Sequence, residues 1–333
     1  MNIIVKQIEF KSTNGENTIF GWIYTPSEGL RGIVQICHGM AEHMGRYHEF
    51  MRTLAKNGYV ACGIDQVGHG RSVMDQNGYG FFGKQEGFKT LVDDQFKFNK
   101  IVRSEIPNLK CVLLGHSMGS FVARMYACKY SQTISGLIIC GTAKSGMKID
   151  LAIQAANHSM KRNGAAFADA GLNRLVFGSF NDKFKPAKTK FDWLSRDMEM
   201  VQRYIDDSKC GFVFTSSAFH DLFVLISKAN DRRCFTITPK SMPIYIISGT
   251  MDPVGDFGKG PTSVYNRYVK AGVEDIEMAL YEGARHELLN ELNRQQVAED
   301  ILRWLGARIQ PPEPLSPADK GVSWPGSDMM PNE

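Results

Sequence analysis

No uninterrupted apolar run in this chain reaches membrane-spanning length, so a helical integral membrane protein is excluded. The opening residues, MNIIVKQIEF, show neither the apolar core nor the cleavage site of a signal peptide, and export is not expected. A surplus of one charge is also missing. Thirty-nine Lys and Arg stand against 35 Asp and Glu, and the net +4 is spread too evenly to make a nucleic-acid-binding face. The seven cysteines are odd in number and show no CxxC spacing. Cys37, Cys62, Cys111 and Cys140 lie in apolar, strand-like runs, where a free thiol behaves as a small hydrophobe. A reducing cytoplasm is the expected location, with Cys210 and Cys234 as the one pair that could bridge. There are no internal repeats.

Cofactor and metal signals fail as well. Gly78-Tyr79-Gly80-Phe81-Phe82-Gly83 satisfies G-x-G-x-x-G, but no strand leads into it, so a dinucleotide site is not expected. His286-Glu287 resembles the start of a zinc-protease helix, but Asn290 occupies the place of the second histidine. His38, His43 and His48 are five apart and do not share a helical face.

What is present is an alternation. IIVKQIEF and TIFGWIYT flank a polar turn and predict a hairpin. Apolar runs then recur at GIVQIC, YVACGID, CVLLG, ISGLIIC, MPIYIISG and IEMALY. Between them lie helical patterns at about 47–57, 87–105, 118–130, 262–271 and 290–308. Near-continuous apolar strands alternating with amphipathic helices imply an α/β fold with a mostly parallel sheet covered on both faces. The span from 142 to 241 far exceeds what a crossover needs and reads as an inserted cap dense in aromatics. The domain reading is a core of 1–141 and 242–309, the insertion 142–241, and a proline-dense tail at 310–333.

The chemistry centres on CVLLGHSMGSFVARMYA. Gly115-His116-Ser117-Met118-Gly119 is a G-x-S-x-G with a buried strand before it and a helix after it. A serine lifted above a sheet at such a turn needs small neighbours two positions away, and the following helix aims free N–H groups at developing negative charge. A serine hydroxyl requires a base, and the base requires an orienting acid, in the order Ser, acid, His for this architecture. His158, His220 and His286 follow Ser117, and only His286 falls in the loop after the last strand. Asp252 sits three residues past a strand end, and Asp256 is the alternative in the same loop. The oxyanion donors expected are the backbone N–H groups of Met118 and Met40. Asp65, His69 and Arg71 are expected to brace the neighbouring loop.

With these residues in place, HGMAEHMGRY, GIDQVGHGRS, GHSMGS, SGTMDPVG and YEGARHELLNE make the sequence similar to the α/β-hydrolase superfamily. It most resembles the monoacylglycerol lipase, lysophospholipase and serine-aminopeptidase-like group. The resemblance implies a Ser117–Asp252–His286 triad with Met40 and Met118 as oxyanion donors, and no metal or organic cofactor. It implies a small acyl ester as substrate, such as a monoglyceride or lysolipid, with transient contact with lipid surfaces. Ala41 stands where that group commonly has glycine. Two rivals remain open. An aminopeptidase on the same fold would need acidic residues of the insertion, among Asp182, Asp192, Glu199, Asp206 and Asp207, to converge on an amine. The other rival is a non-catalytic protein that binds a small ligand under the insertion.

Overall fold

The computed structural model describes residues 2–73, 75, 78–146 and 149–309. The proline-dense tail lies outside the described residues. Eight strands form one sheet: β1 (Ile3–Lys11), β2 (Thr18–Pro26), β3 (Gly32–Cys37), β4 (Tyr59–Ile64), β5 (Cys111–His116), β6 (Gly136–Cys140), β7 (Ile244–Gly249) and β8 (Ile276–Tyr281). Their order is β1-β2-β4-β3-β5-β6-β7-β8. β1, β2 and β4 pair antiparallel, and every pairing from β4 through β3 to β8 is parallel. β3 to β7 are buried along their whole length, which is why their sequences run apolar without alternation. This is the mostly parallel α/β sheet expected from the alternation, and the fold is that of the α/β-hydrolases that the sequence resembles.

Helices α1 (His48–Lys56), α2 (Gly87–Glu105) and α3 (Met118–Lys129) follow β3, β4 and β5. Five more lie between β6 and β7: α4 (Ile149–Asn163), α5 (Ala170–Phe177), α6 (Met198–Asp206), α7 (Ser216–Ala229) and α8 (Arg232–Ile237). None of the described residues between Cys140 and Ile244 joins the sheet. α9 (Lys259–Lys270) and α10 (Arg294–Arg308) complete the fold. The last helix starts four residues later than the sequence pattern suggests. Residues 285–293 are engaged by the insertion instead: the Ser195 hydroxyl donates to Asn290 O, and Arg196 Nε donates to Glu291.

The aromatics of the insertion divide between two cores. Phe214, Phe219, Phe223 and Phe235 are buried in the main core. Trp193 and Tyr204 anchor a separate small cluster with Phe180, Phe184 and Phe191. All seven cysteines are free. The neighbour of Cys234 is Cys128, with the sulfurs 3.0 Å apart, and not Cys210, because α8 packs against α3.

Candidate active site

β5 ends at His116, and α3 begins at Met118, so Ser117 alone makes the turn between them. Its φ of 53° and ψ of −119° are an uncommon backbone conformation for a residue with a side chain. The turn is fixed by contact. Ser117 N–H donates to Cys140 O on β6 at 3.0 Å, and its carbonyl accepts from the Ser120 hydroxyl at 2.6 Å. A Cβ on Gly119 would overlap the carbonyl oxygens of Cys37 and His38, and one on Gly115 would overlap the Gly119 carbonyl. Both glycines are therefore demanded by close backbone approach. Met118 opens α3, so its N–H lacks an intrahelical acceptor.

Asp252 and His286 meet although they leave different strands. Nδ1 of His286 lies 3.0 Å from both carboxylate oxygens of Asp252. Asp252 is fully buried and also accepts from Val254 N–H at 2.9 Å. Asp256 sits elsewhere, half-exposed and 3.5 Å from Lys144. Burial disfavours a charged His286 imidazole, but Asp252 outweighs it, and the ring stands above its ordinary pKa. The neighbouring His116, 4.7 Å away between ring centroids, is pushed down to about 3 by burial and by His286. It stays neutral beside His286. The His286 loop is also held by the insertion: Glu287 N–H donates to Leu194 O at 2.8 Å, and the Trp193 ring lies 5.3 Å from the imidazole. Among the described residues no hydrogen bond joins the Ser117 hydroxyl to His286; such contacts often tighten only when substrate is bound.

The loop after β3 is the most constrained segment of the site. Gln66 N–H donates to His38 Nε2 at 2.9 Å, so His38 carries its proton on Nδ1 and donates it to Gly39 O at 2.8 Å. Gly39 N–H donates to Glu42 Oε1, and Met40 N–H has no protein acceptor among the described residues. Ala41 adopts φ 52°, the left-handed region where glycine is at ease. Its carbonyl accepts from Gly211 N–H and from the Tyr204 hydroxyl of the insertion. Asp65 braces the loop as expected, accepting from Met44 N–H at 2.8 Å. His69 is buried against Phe82 and Phe214; Arg71 N–H donates to Asp65 at 2.7 Å, while its guanidinium lies over Phe20 at the surface.

One network was not legible beforehand. Arg46 donates to Glu42 Oε2 at 2.9 Å and to both carboxylate oxygens of Glu287, and its guanidinium lies 4.8 Å from the Tyr204 ring centroid. Burial opposes ionisation of Glu42, but Arg46, the neighbouring histidines and the Tyr47 hydroxyl hold it down to about 2. Arg46 thus joins the loop carrying Met40 to the loop carrying His286.

Ser117, His286, Met40 and Met118 all line one cavity of about 620 Å³, a size suited to a small organic molecule. Phe121, Phe177, Phe180, Phe212 and Trp193 give it an apolar wall. Its lining acids are Glu42 and Glu287, both paired with Arg46. The acids that an amine-binding site would require are committed elsewhere. Asp192 accepts from the 188–189 backbone, Asp207 pairs with His43, Asp206 accepts from Gln202, and Asp182 and Glu199 pair with Lys185 and Arg203.

A family model described as serine aminopeptidase, S33, matches residues 28–293. The monoacylglycerol lipase of Mycolicibacterium smegmatis is 25% identical over 309 residues, covering 90% of this chain and 96% of that protein. The human monoglyceride lipase is 24% identical, covering 90% of each. The solved structure of a thermostable carboxyl esterase from Bacillus coagulans is 30% identical with a TM-score of 0.87, covering 92% of this chain and 100% of that one. With the fold and these relatives agreeing, the chain belongs to the serine aminopeptidase S33 family, in the monoacylglycerol lipase group of the α/β-hydrolases, and is a hydrolase.

Proposed function

We propose that this hydrolase cleaves carboxylic esters with an apolar acyl or aryl part, in the manner of monoacylglycerols or lysolipids, through an acyl-enzyme on Ser117. The observation that carries the reading is the Asp252–His286 pair opening into the apolar cavity that Ser117 also lines. Ser117 Oγ attacks the ester carbonyl while His286 Nε2 takes its proton. Asp252 holds the imidazole with Nδ1–H toward its carboxylate and stabilises the cation that forms. The N–H groups of Met40 and Met118 receive the carbonyl oxygen as it becomes negative. Collapse of the intermediate breaks the bond to the alkoxy group, which takes the proton back from His286. Water, activated at the same ring, then releases the acid. Losing one such donor costs about 10²–10³ in turnover in related chemistry.

In this reading residues 142–241 act as the cap that walls the cavity. The ester reading is favoured over the aminopeptidase because, among the described residues, no lining carboxylate is left to meet a substrate ammonium group. The strained Ser117 and the buried Asp252–His286 pair argue against a silent binding protein. The seven free thiols support a cytoplasmic location, and among the described residues no helix is long and apolar enough to cross a membrane. The test is a panel of p-nitrophenyl and glyceryl esters of graded chain length beside aminoacyl-naphthylamides. Turnover of the esters with little on the naphthylamides is expected, and the reverse order would overturn the reading.

A further inference from the structure

α5 presents Ala170, Asn173, Arg174 and Phe177 to the cavity, the i, i+3, i+4, i+7 face of a helix. Its neighbour Leu175 is 64% exposed, facing solvent. Arg174 reaches the cavity while itself keeping contact with solvent. Lys190, from the segment before Phe191, lines the same cavity. Neither Arg174 nor Lys190 has an acidic partner among the described residues, whereas Arg46, Lys144 and Arg196 do. The core side of the site is charged the other way: Glu42 and Glu287 share the guanidinium of Arg46, and Asp252 meets the imidazole of His286.

We propose that the substrate carries an anionic group, a phosphate or a carboxylate, which Arg174 and Lys190 receive at the cap side of the cavity. The proposal deepens the ester-hydrolase reading and rests on it for the location of the reacting carbonyl. The charge separation sets the orientation: the anion is drawn to the cap and repelled from the core side, so the neutral ester end is left to reach Ser117. Both cations keep contact with solvent, so the anionic group is met at the mouth, where the two side chains pay little for desolvation before binding. A guanidinium and an ammonium together suit an oxyanion with several acceptor oxygens.

The test uses binding, so that it does not depend on catalysis. Three hexyl ethers of glycerol that cannot be hydrolysed are titrated calorimetrically into the full chain: one uncharged, one bearing a phosphate and one bearing a carboxylate. The phosphate or the carboxylate ether should bind about tenfold or more tightly than the uncharged ether at low salt, and the stronger of the two identifies the source of the charge. Arg174→Ala/Lys190→Ala should abolish that preference, leave the uncharged ether within about twofold, and leave the thermal midpoint unchanged. Equal binding of all three by the wild type, or a preference that survives in the double variant, overturns the proposal. Hydrolysis of uncharged esters alongside equal binding would sink this proposal and leave the ester reading standing. Charge-selective binding without any ester turnover would do the opposite.

Discussion

Replacing Arg46 with methionine removes the guanidinium that pairs with both Glu42 and Glu287 while keeping much of the side-chain volume. Glu42 sits at about 2 against an ordinary 4.5, a difference worth about 3 kcal/mol of stability at ~1.4 kcal/mol per pH unit. Without Arg46 that contribution goes, and two buried carboxylates are left facing each other's loops, a situation that typically costs about 3–5 kcal/mol. A chain of this size, at about 1.4 °C per kcal/mol, should then lose roughly 4–7 °C in thermal midpoint. The sign of the pH dependence separates this cause from simple loss of packing. A depressed carboxyl stabilises the fold above its unfolded pKa, and that stability is lost as pH falls toward the folded value. In the variant, burial loses its largest opponent and the Glu42 pKa rises against the weaker pull of the Tyr47 hydroxyl and the neighbouring histidines, so protonation relieves part of the penalty. The gap between wild type and Arg46→Met, read by calorimetry, should therefore be widest near pH 7 and narrow toward pH 5. Activity should fall too, because Glu42 holds Gly39 N–H and so fixes the loop that offers Met40 N–H. A gap that is the same at both pH values, or a variant as stable as the parent, would refute the reasoning.

Other outcomes follow from the same geometry. The proposed base must be neutral to act, and Asp252 holds His286 above its ordinary pKa, so the acid limb of kcat/KM should lie above 6.5 in the wild type. Asp252→Asn removes that support and the preferred tautomer, and kcat should fall by about 10⁴ with little change in KM. A smaller loss, or an unmoved acid limb, would count against Asp252. Gly119→Ala drives a methyl into the carbonyls of Cys37 and His38 and should cost about 1–3 kcal/mol, with activity falling further than stability alone explains; normal stability and turnover would contradict the close approach. Ala41→Gly relieves a left-handed alanine and should leave activity intact with equal or slightly higher stability, measured by the same melts.

Much of this site was written in local sequence. Strands β3 to β7 are apolar throughout because both faces are covered, and α2 begins and ends where its apolar period does. Ser117, Asp252 and His286 could each be placed from the strand that precedes it, since strand ends converge on one edge of a parallel sheet. The Arg46 network was not legible, because its value lies in a charge balance between loops far apart in the chain, and each residue alone reads as a solvated surface charge. The start of α10 was missed because Ser195 and Arg196, from the insertion, capture the backbone and side chains of residues that otherwise continue the helical period. The aromatic richness of the insertion was ambiguous for a similar reason. Composition does not separate Phe214 in the main core from Phe180 on the cavity wall.

The most direct measurement is the intact mass of the folded protein after exposure to a fluorophosphonate probe, taken together with its hydrolysis of a short p-nitrophenyl ester. Wild type should gain one probe adduct, mapped to Ser117, and Ser117→Ala should take none while losing on the order of 10⁶ in kcat. An unlabelled wild type, or a Ser117→Ala protein that turns over the ester as fast as its parent, would contradict the account at its base.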